Sequence, residues 1–208
     1  MLETVRAARA RGVAIGAHPS YPDLIGFGRR ELDLHPDDIR RHVAAQVRVL
    51  QEICGREGAR LSHVKPHGAL YNRAARDNGT ALAIIDGMKE VDGELILLGL
   101  PGSEMDRAAA QAGISFASEA FADRGYGDDL LLVPREQPGA LIDDVAQAVS
   151  RAVTLVTRGT VTTLTRKELP LSAASLCVHG DNPRALELVR ALRAGLESAG
   201  VRIAPFVS

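Results

Sequence analysis

Short apolar runs of strand length alternate with helical periodicities along almost the whole chain, and several of them end directly on a histidine, a lysine or an acid. That alternation constrains the fold more than any other feature, because strand–helix–strand repeats place strands side by side in parallel with helices packed outside them. Val13 to Ala17 delivers His18, and Arg60 to Val64 delivers Lys65 and His67. Ile114 to Ser118 delivers Glu119 and Asp123, and Ser175 to Val178 delivers His179 and Asp181. Between the first two runs, Pro36 opens a helix with Asp37 and Asp38 in its positive first turn and Ile39, Val43, Val47 and Leu50 on one face. About 19 helical residues return the chain by roughly 28 Å, enough for a parallel crossover.

The same reading predicts a helix from Leu2 to a stop at Gly12, and a helical stretch from Tyr71 to about Lys89, broken near Asn78-Gly79. A strand follows over Glu94 to Leu98, then a helix capped by Ser103. Leu130 to Val133 reads as a short extended run. Pro138 opens a helix carrying Ile142, Val145, Val149, Val153 and Val156 inward, and Thr160 to Leu171 reads as a small hairpin arm. Asn182 and Pro183 start the last helix, and Val201 to Val207 is a candidate terminal strand. Polar groups at the C-terminal ends of four strands favour a barrel over an open doubly wound sheet, whose ligands gather near one switch point. The expectation is one α/β domain spanning residues 1–208.

Composition matters chiefly for what it excludes. Twenty-five Lys and Arg against 26 Asp and Glu leave a formal net charge of −1, which creates no field to attract nucleic acid or an anionic membrane. No apolar run approaches membrane-spanning length. Cys54 and Cys177 fit neither a disulfide framework nor a zinc ribbon and suit a reducing cytoplasm.

The stretch Arg60 to Tyr71 concentrates the chemistry. His63 and Lys65 share one strand face, and Pro66 ends the ladder so that His67 enters the following loop. A lysine in an apolar strand context is rare unless paired or functional, which makes Lys65 the strongest single candidate. A proline- and glycine-rich loop brings His18, Asp23, Arg29 and Arg30, of which one arginine is structural and the other suits a forked grip on a carboxylate. Glu119, Asp123 and Asp181 read either as acid/base groups or as loop caps, the cap reading being strongest for Asp181. His35 and His42, at a helix start and on its polar face, receive no role. His18, His67 and His179, with Asp23 or Asp181, would serve a divalent metal if they converged, but no local pair has diagnostic ligand spacing. Gly99 to Ser103 at a helix start reads more readily as a turn and cap than as an anion cradle.

Five ordered blocks then carry a resemblance. Gly16-Ala-His18-Pro-Ser-Tyr-Pro-Asp23 with Gly26-Phe-Gly-Arg-Arg30, His63-Val-Lys-Pro-His-Gly-Ala-Leu-Tyr71, Glu119-Ala-Phe-Ala-Asp-Arg124, Leu132-Val-Pro-Arg135 and Cys177-Val-His-Gly-Asp181 resemble the signature blocks of the LamB/YcsF family. The resemblance implies a TIM-like β/α barrel of the seven-stranded type. It also implies ATP-driven opening of the 5-oxoproline lactam to glutamate, with Mg²⁺ accompanying ATP and no tightly bound metal. The implied partners are subunits B and C, with a homo-oligomer as a further option. On this reading Lys65, His67, His18, Glu119 and Asp123 are the catalytic candidates, and Arg29, Arg30, His63, Tyr71, Arg124, His179 and Asp181 the substrate-binding ones. Family members begin with a strand carrying an Asp-Leu-Asn-Cys-Asp type motif and a second ending in Cys-Gly-Phe-His-Ala-Gly-Asp, neither of which occurs here. The expectation is therefore a barrel incomplete at its N-terminal side, with an exposed strand edge and apolar surface. Two other classes stay open beside the lactam-opening subunit: a metal-dependent amide hydrolase or deacetylase working without ATP, and a non-catalytic scaffold.

Overall fold

The computed structural model describes residues 1–206, which form two compact units, Met1–Ala117 and Ser118–Phe206. The first unit holds helix α1 (Leu2–Ala10), strand β1 (Ile15–Ala17), α2 (Pro36–Arg56), β2 (Leu61–Val64), α3 (Gly68–Ala74), α4 (Asn78–Lys89), β3 (Ile96–Gly99) and α5 (Glu104–Ala112). Its strands run parallel in the order β1-β2-β3, with Gly16 opposite His63 and His63 opposite Ile96. The helix opened by Pro36 forms as its spacing predicts. Ile39, Val43, Ala44 and Val47 are buried, and the helix packs on α4, whose Ile84, Ile85 and Met88 are also buried. His35 turns out to be the cap of α2, its Nδ1 accepting from Asp37 N at 3.3 Å. The break near Asn78 is real, and Asp77 ends it by accepting from Thr80 N at 2.7 Å. Beside β1, an edge strand of this unit, lies a largely apolar cleft of about 760 Å³ whose lining includes Val5, Ile15, Val49 and Leu50.

Strand β4 (Phe116–Phe121) begins in the first unit and ends in the second. The second unit continues with α6 (Val145–Arg158), the antiparallel pair β5 (Thr160–Thr162) and β6 (Glu168–Pro170), β7 (Ser175–Cys177) and α7 (Ala185–Ser198). Here β4 and β7 pair in parallel, and α6 and α7 pack together over a core of Ala122, Ile142, Ala148, Ala152, Leu188 and Leu192. The hairpin arm predicted from Thr160 to Leu171 is present. Its turn is held by Asp128, which accepts from the hydroxyls of Thr163 (2.7 Å) and Thr165 (2.6 Å) and from Lys167 Nζ (2.6 Å). No helix among the described residues is long and apolar enough to cross a membrane.

Several local expectations are corrected. Pro138 opens no helix: residues 140–142 pair instead with the segment after β4, through Gly125 N to Ala140 O (2.9 Å) and Ile142 N to Asp123 O (3.0 Å). The helix starts at Val145 and is capped by Asp144, which accepts from Gln147 N at 2.7 Å. The short run Leu130 to Val133, by contrast, does pair, through one antiparallel bridge of Leu132 with Tyr126 flanked by Gly127 N to Leu131 O (2.9 Å) and Val133 N to Gly125 O (3.1 Å). Ser103 occupies the cap position of α5 but points backwards, donating to Leu100 O at 2.7 Å. Asn182 forms a turn by accepting from Arg184 N, and α7 begins only at Ala185. Residues 201–206 form no strand, and Val207 lies outside the described residues.

Candidate functional site

Because β1 and β2 are parallel, His18 after the first and Lys65 and His67 after the second leave the sheet at the same end. Backbone bonds fix them there: Lys65 N donates to Ala17 O (2.9 Å) and His67 N to Pro19 O (2.8 Å). The two imidazoles meet edge to face, with His67 Nδ1 2.9 Å from His18 Nε2. Their outer nitrogens face carbonyl oxygens, His18 Nδ1 at 2.6 Å from Lys65 O and His67 Nε2 at 2.8 Å from Phe27 O. A carbonyl only accepts, so both outer nitrogens carry hydrogen. The two inner nitrogens would then confront each other as lone pairs unless one more proton lies between them. The loop from Pro19 to Arg30 is clamped to the same place by Gly68, which sits at φ 60° and lies so close to Gly28 that a Cβ there would be 2.5 Å from the Gly28 carbonyl oxygen. Ala69 N donates to that oxygen at 3.0 Å.

Lys65 is half-buried rather than buried, with Nζ 5.8 Å from the ring centre of the buried Tyr71. His63 shares its strand face and lies across Gly16. Since the single hydroxyl hydrogen of Ser62 goes to Ile15 O (2.9 Å), His63 Nδ1 must be the donor in its 2.8 Å contact with Ser62 Oγ. Burial, reinforced by the charge of Lys65, pushes the His63 imidazole below its ordinary value, so this ring is neutral at pH 7. Of the two adjacent arginines, Arg30 is the salt-bridged one. Arg30 is ion-paired with the buried Asp23, its Nε donating to Oδ2 at 2.9 Å, and that bond, outweighing burial, holds the Asp23 carboxyl at about 2. Arg29 lies over the Phe27 ring at 5.4 Å.

In the second unit, Glu119 lies inside β4 rather than after it, and is 1% exposed. The parallel register pairs Glu119 with Ser175 and Phe121 with Cys177, and the same offset of 56 carried two residues further sets Asp123 opposite His179. His179 Nδ1 lies 2.9 Å and 3.1 Å from the two carboxylate oxygens, and its ring stacks on Phe121 at 5.7 Å. Burial pushes the Asp123 carboxyl up, but the hydrogen bond and charge of His179 outweigh it and hold the group below its ordinary value. Arg124 is 2% exposed, and its guanidinium donates to Val133 O (2.6 Å) and Ala140 O (3.1 Å). Burial first, then the charge of Arg135, lowers it to about 10. Asp181 is exposed in the turn before α7.

The structure thus brings His18, Lys65, His67, Tyr71 and His63 together around one strand end, and Asp123 with His179 at another. Among the described residues no group of three or more His, Cys, Asp or Glu is arranged to hold a metal ion. Sequence reasoning gave no role to Gly16, whose missing side chain makes room for His63, and did not foresee the Phe27 carbonyl that faces His67 Nε2. The glycine that opens the His18 block was the available signal for the first; a backbone acceptor leaves none.

A family model described as the LamB/YcsF family matches residues 1–208. The chain is 46% identical over 202 residues to the A subunit of 5-oxoprolinase from Clostridium beijerinckii, covering 97% of this chain and 79% of that protein. It is 48% identical over 204 residues to the protein of the same name from Methylococcus capsulatus, covering 98% and 78%. A crystal structure of a lactam utilization protein from Thermus thermophilus matches with a TM-score of 0.91 and 45% identity, over 99% of this chain and 82% of that one. The fold class is accordingly α/β, of the incomplete TIM-like barrel type.

Proposed function

The chain belongs to the LamB/YcsF family, and on that premise we propose that it is the subunit of an ATP-dependent 5-oxoprolinase that holds the lactam and opens it to glutamate, in the cytoplasm and together with partner subunits B and C. The observation that carries this reading is the cluster at the shared end of β1 and β2: Lys65, the paired imidazoles of His18 and His67, and Arg29. A five-membered lactam is a stable amide with a carboxylate beside it, and opening it places negative charge on the carbonyl oxygen. Fixed positive groups and N–H donors are what such a site needs. Phosphorylation of the carbonyl oxygen by ATP would turn a poor electrophile into a good one, so that water could add to the carbonyl carbon and the ring C–N bond could break. Lys65 and Arg29 suit the oxygens of a phosphate or of the substrate carboxylate, and His67 or His18 would move protons in the same region.

The test is glutamate release from 5-oxoproline by this chain mixed with subunits B and C. Release should require ATP and all three proteins, and Lys65→Met should lower turnover by about a hundredfold, the scale of losing one oxyanion donor. If the same B and C preparation is active with the homologous chain of a relative but releases no glutamate with this one, the reading is wrong.

A further inference from the structure

We infer that Phe27 is a positioning residue of the first-unit site: its carbonyl fixes which nitrogen of His67 exchanges a proton, and its ring holds Arg29 and the His67 imidazole in place. The inference rests on the lactam-opening role proposed above and adds to it the group that orients two of the residues given parts in that role.

The backbone of Phe27 is the observation to be explained. Its φ is 54°, in the left-handed region, where a bulky side chain is an outlier because its Cβ crowds the backbone. A glycine would adopt the same conformation without that cost, and glycines stand on both sides, at Gly26 and Gly28. Burial does not offset the strain, since Phe27 is 60% exposed. The surroundings impose it instead. Asp23 holds both flanks, its carboxylate accepting from Gly26 N at 2.9 Å and its carbonyl from Gly28 N at 2.8 Å, and Ala69 N ties Gly28 O to the start of α3 at 3.0 Å. Strain kept in place by its neighbours, on a large side chain that stays outside the core, is accounted for by what that residue touches.

Its contacts are with two candidate site residues. The ring meets the His67 imidazole edge to face, with centroids 5.1 Å apart at 84°, and the guanidinium carbon of Arg29 lies over it at 5.4 Å. The aromatic face attracts the cation and so restrains a long side chain that would otherwise sample many rotamers. The carbonyl of the same residue faces His67 Nε2 at 2.8 Å and can only accept, so hydrogen stays on Nε2. The nitrogen through which His67 gives or takes a proton is then Nδ1, which faces His18 Nε2 at 2.9 Å. Carbonyl and ring thus reach the same imidazole from one residue, in the backbone conformation that is strained.

Three variants separate the carbonyl from the ring. Phe27→Gly removes the ring and the restraint on the backbone. In the complete enzyme with subunits B and C it should lower kcat/KM by about ten- to a hundredfold, the scale of misplacing groups at a site, while its urea midpoint stays no lower than that of the wild type. Phe27→Leu keeps the restraint and the carbonyl but has no aromatic face, and should raise KM more than it lowers kcat, because the restraint on Arg29 is what it loses. Phe27→Tyr should keep both parameters near wild type. In the isolated chain, ¹⁵N NMR of histidine-labelled protein should find His67 with hydrogen on Nε2 in the wild type, Phe27→Leu and Phe27→Tyr, and redistributed between the two nitrogens in Phe27→Gly. Hydrogen on Nδ1 in the wild type, wild-type kinetics in Phe27→Gly, or a urea midpoint well below wild type in that variant overturns the inference, the last because the ring would then be structural. If the wild-type complex releases no glutamate, the lactam reading fails and the NMR arm decides alone: a redistributed tautomer in Phe27→Gly upholds the positioning role and an unaltered one overturns it. Glutamate release by the wild type with unaltered Phe27→Gly kinetics rejects only the positioning role.

Discussion

Replacing Gly16 by alanine tests how the site is packed. Gly16 is not in the left-handed region, so alanine meets no backbone penalty there and by itself would stabilise the chain by about 0.4–1 kcal/mol through the unfolded state. The opposing effect is steric. A Cβ at this position would lie 2.1 Å from Nε2, 2.4 Å from Cδ2 and 2.6 Å from Cε1 of His63, far inside contact distance. The ring must move, which breaks its 2.8 Å contact with Ser62 Oγ. Overpacking of this kind costs about 1–3 kcal/mol and the lost hydrogen bond about 0.5–1.5 kcal/mol, so the clash wins and Gly16→Ala should be destabilising by about 1–3 kcal/mol. Urea denaturation of the two single variants and the double variant decides the matter as a thermodynamic cycle. In a His63→Ala background the obstacle is gone, and Gly16→Ala should become neutral or stabilising. Equal effects in both backgrounds, or a stabilised single variant, would refute the claim that the glycine is there for the histidine.

Asp23, held at about 2 by Arg30, has a folded pKa below its unfolded value of about 3.9, so its contribution to stability is present above about pH 4 and is lost as pH falls through about 2. Asp23→Asn should therefore be less stable than wild type at pH 7, with the gap in urea midpoint closing between about pH 4 and about pH 2; a gap independent of pH contradicts the ion pair's role. Arg124→Ala leaves two carbonyls without a charged donor and should cost about 2–4 kcal/mol, and hydrogen exchange at Gly125, Val133 and Ile142 amides should rise together, whereas unchanged protection there would mean that the guanidinium is not what ties residues 123–125 to 133–142.

What the sequence made legible was whatever depends on neighbours along the chain. Helix α2 announces itself through Pro36 and the spacing of Ile39, Val43 and Val47, and the hairpin at 160–171 through its β-branched residues, because periodicity and turn chemistry are local. The region 138–144 is misread for the same reason. Pro138 is a valid helix opener in isolation, but the backbone of residues 140–142 finds its partners at residues 123–125, after β4, and that competition cannot be seen in a window of local sequence. Ser103 likewise has the residue type of a cap and the hydrogen bond of a turn.

The candidate site divides along the same line. That His18, Lys65, His67, Asp123 and His179 stand at strand ends follows from the alternation of elements, but their roles follow from register. An offset of 56 between β4 and β7 turns an acid and a histidine into a pair, and a bond from Lys65 N to Ala17 O brings two histidines 49 positions apart into contact. Their protons are then set by carbonyls of Phe27 and Lys65, groups that every residue possesses and no motif can encode. The rings that the sequence presents as equivalent thus differ in what each nitrogen faces: carbonyl oxygens and a second imidazole for His18 and His67, a carboxylate for His179.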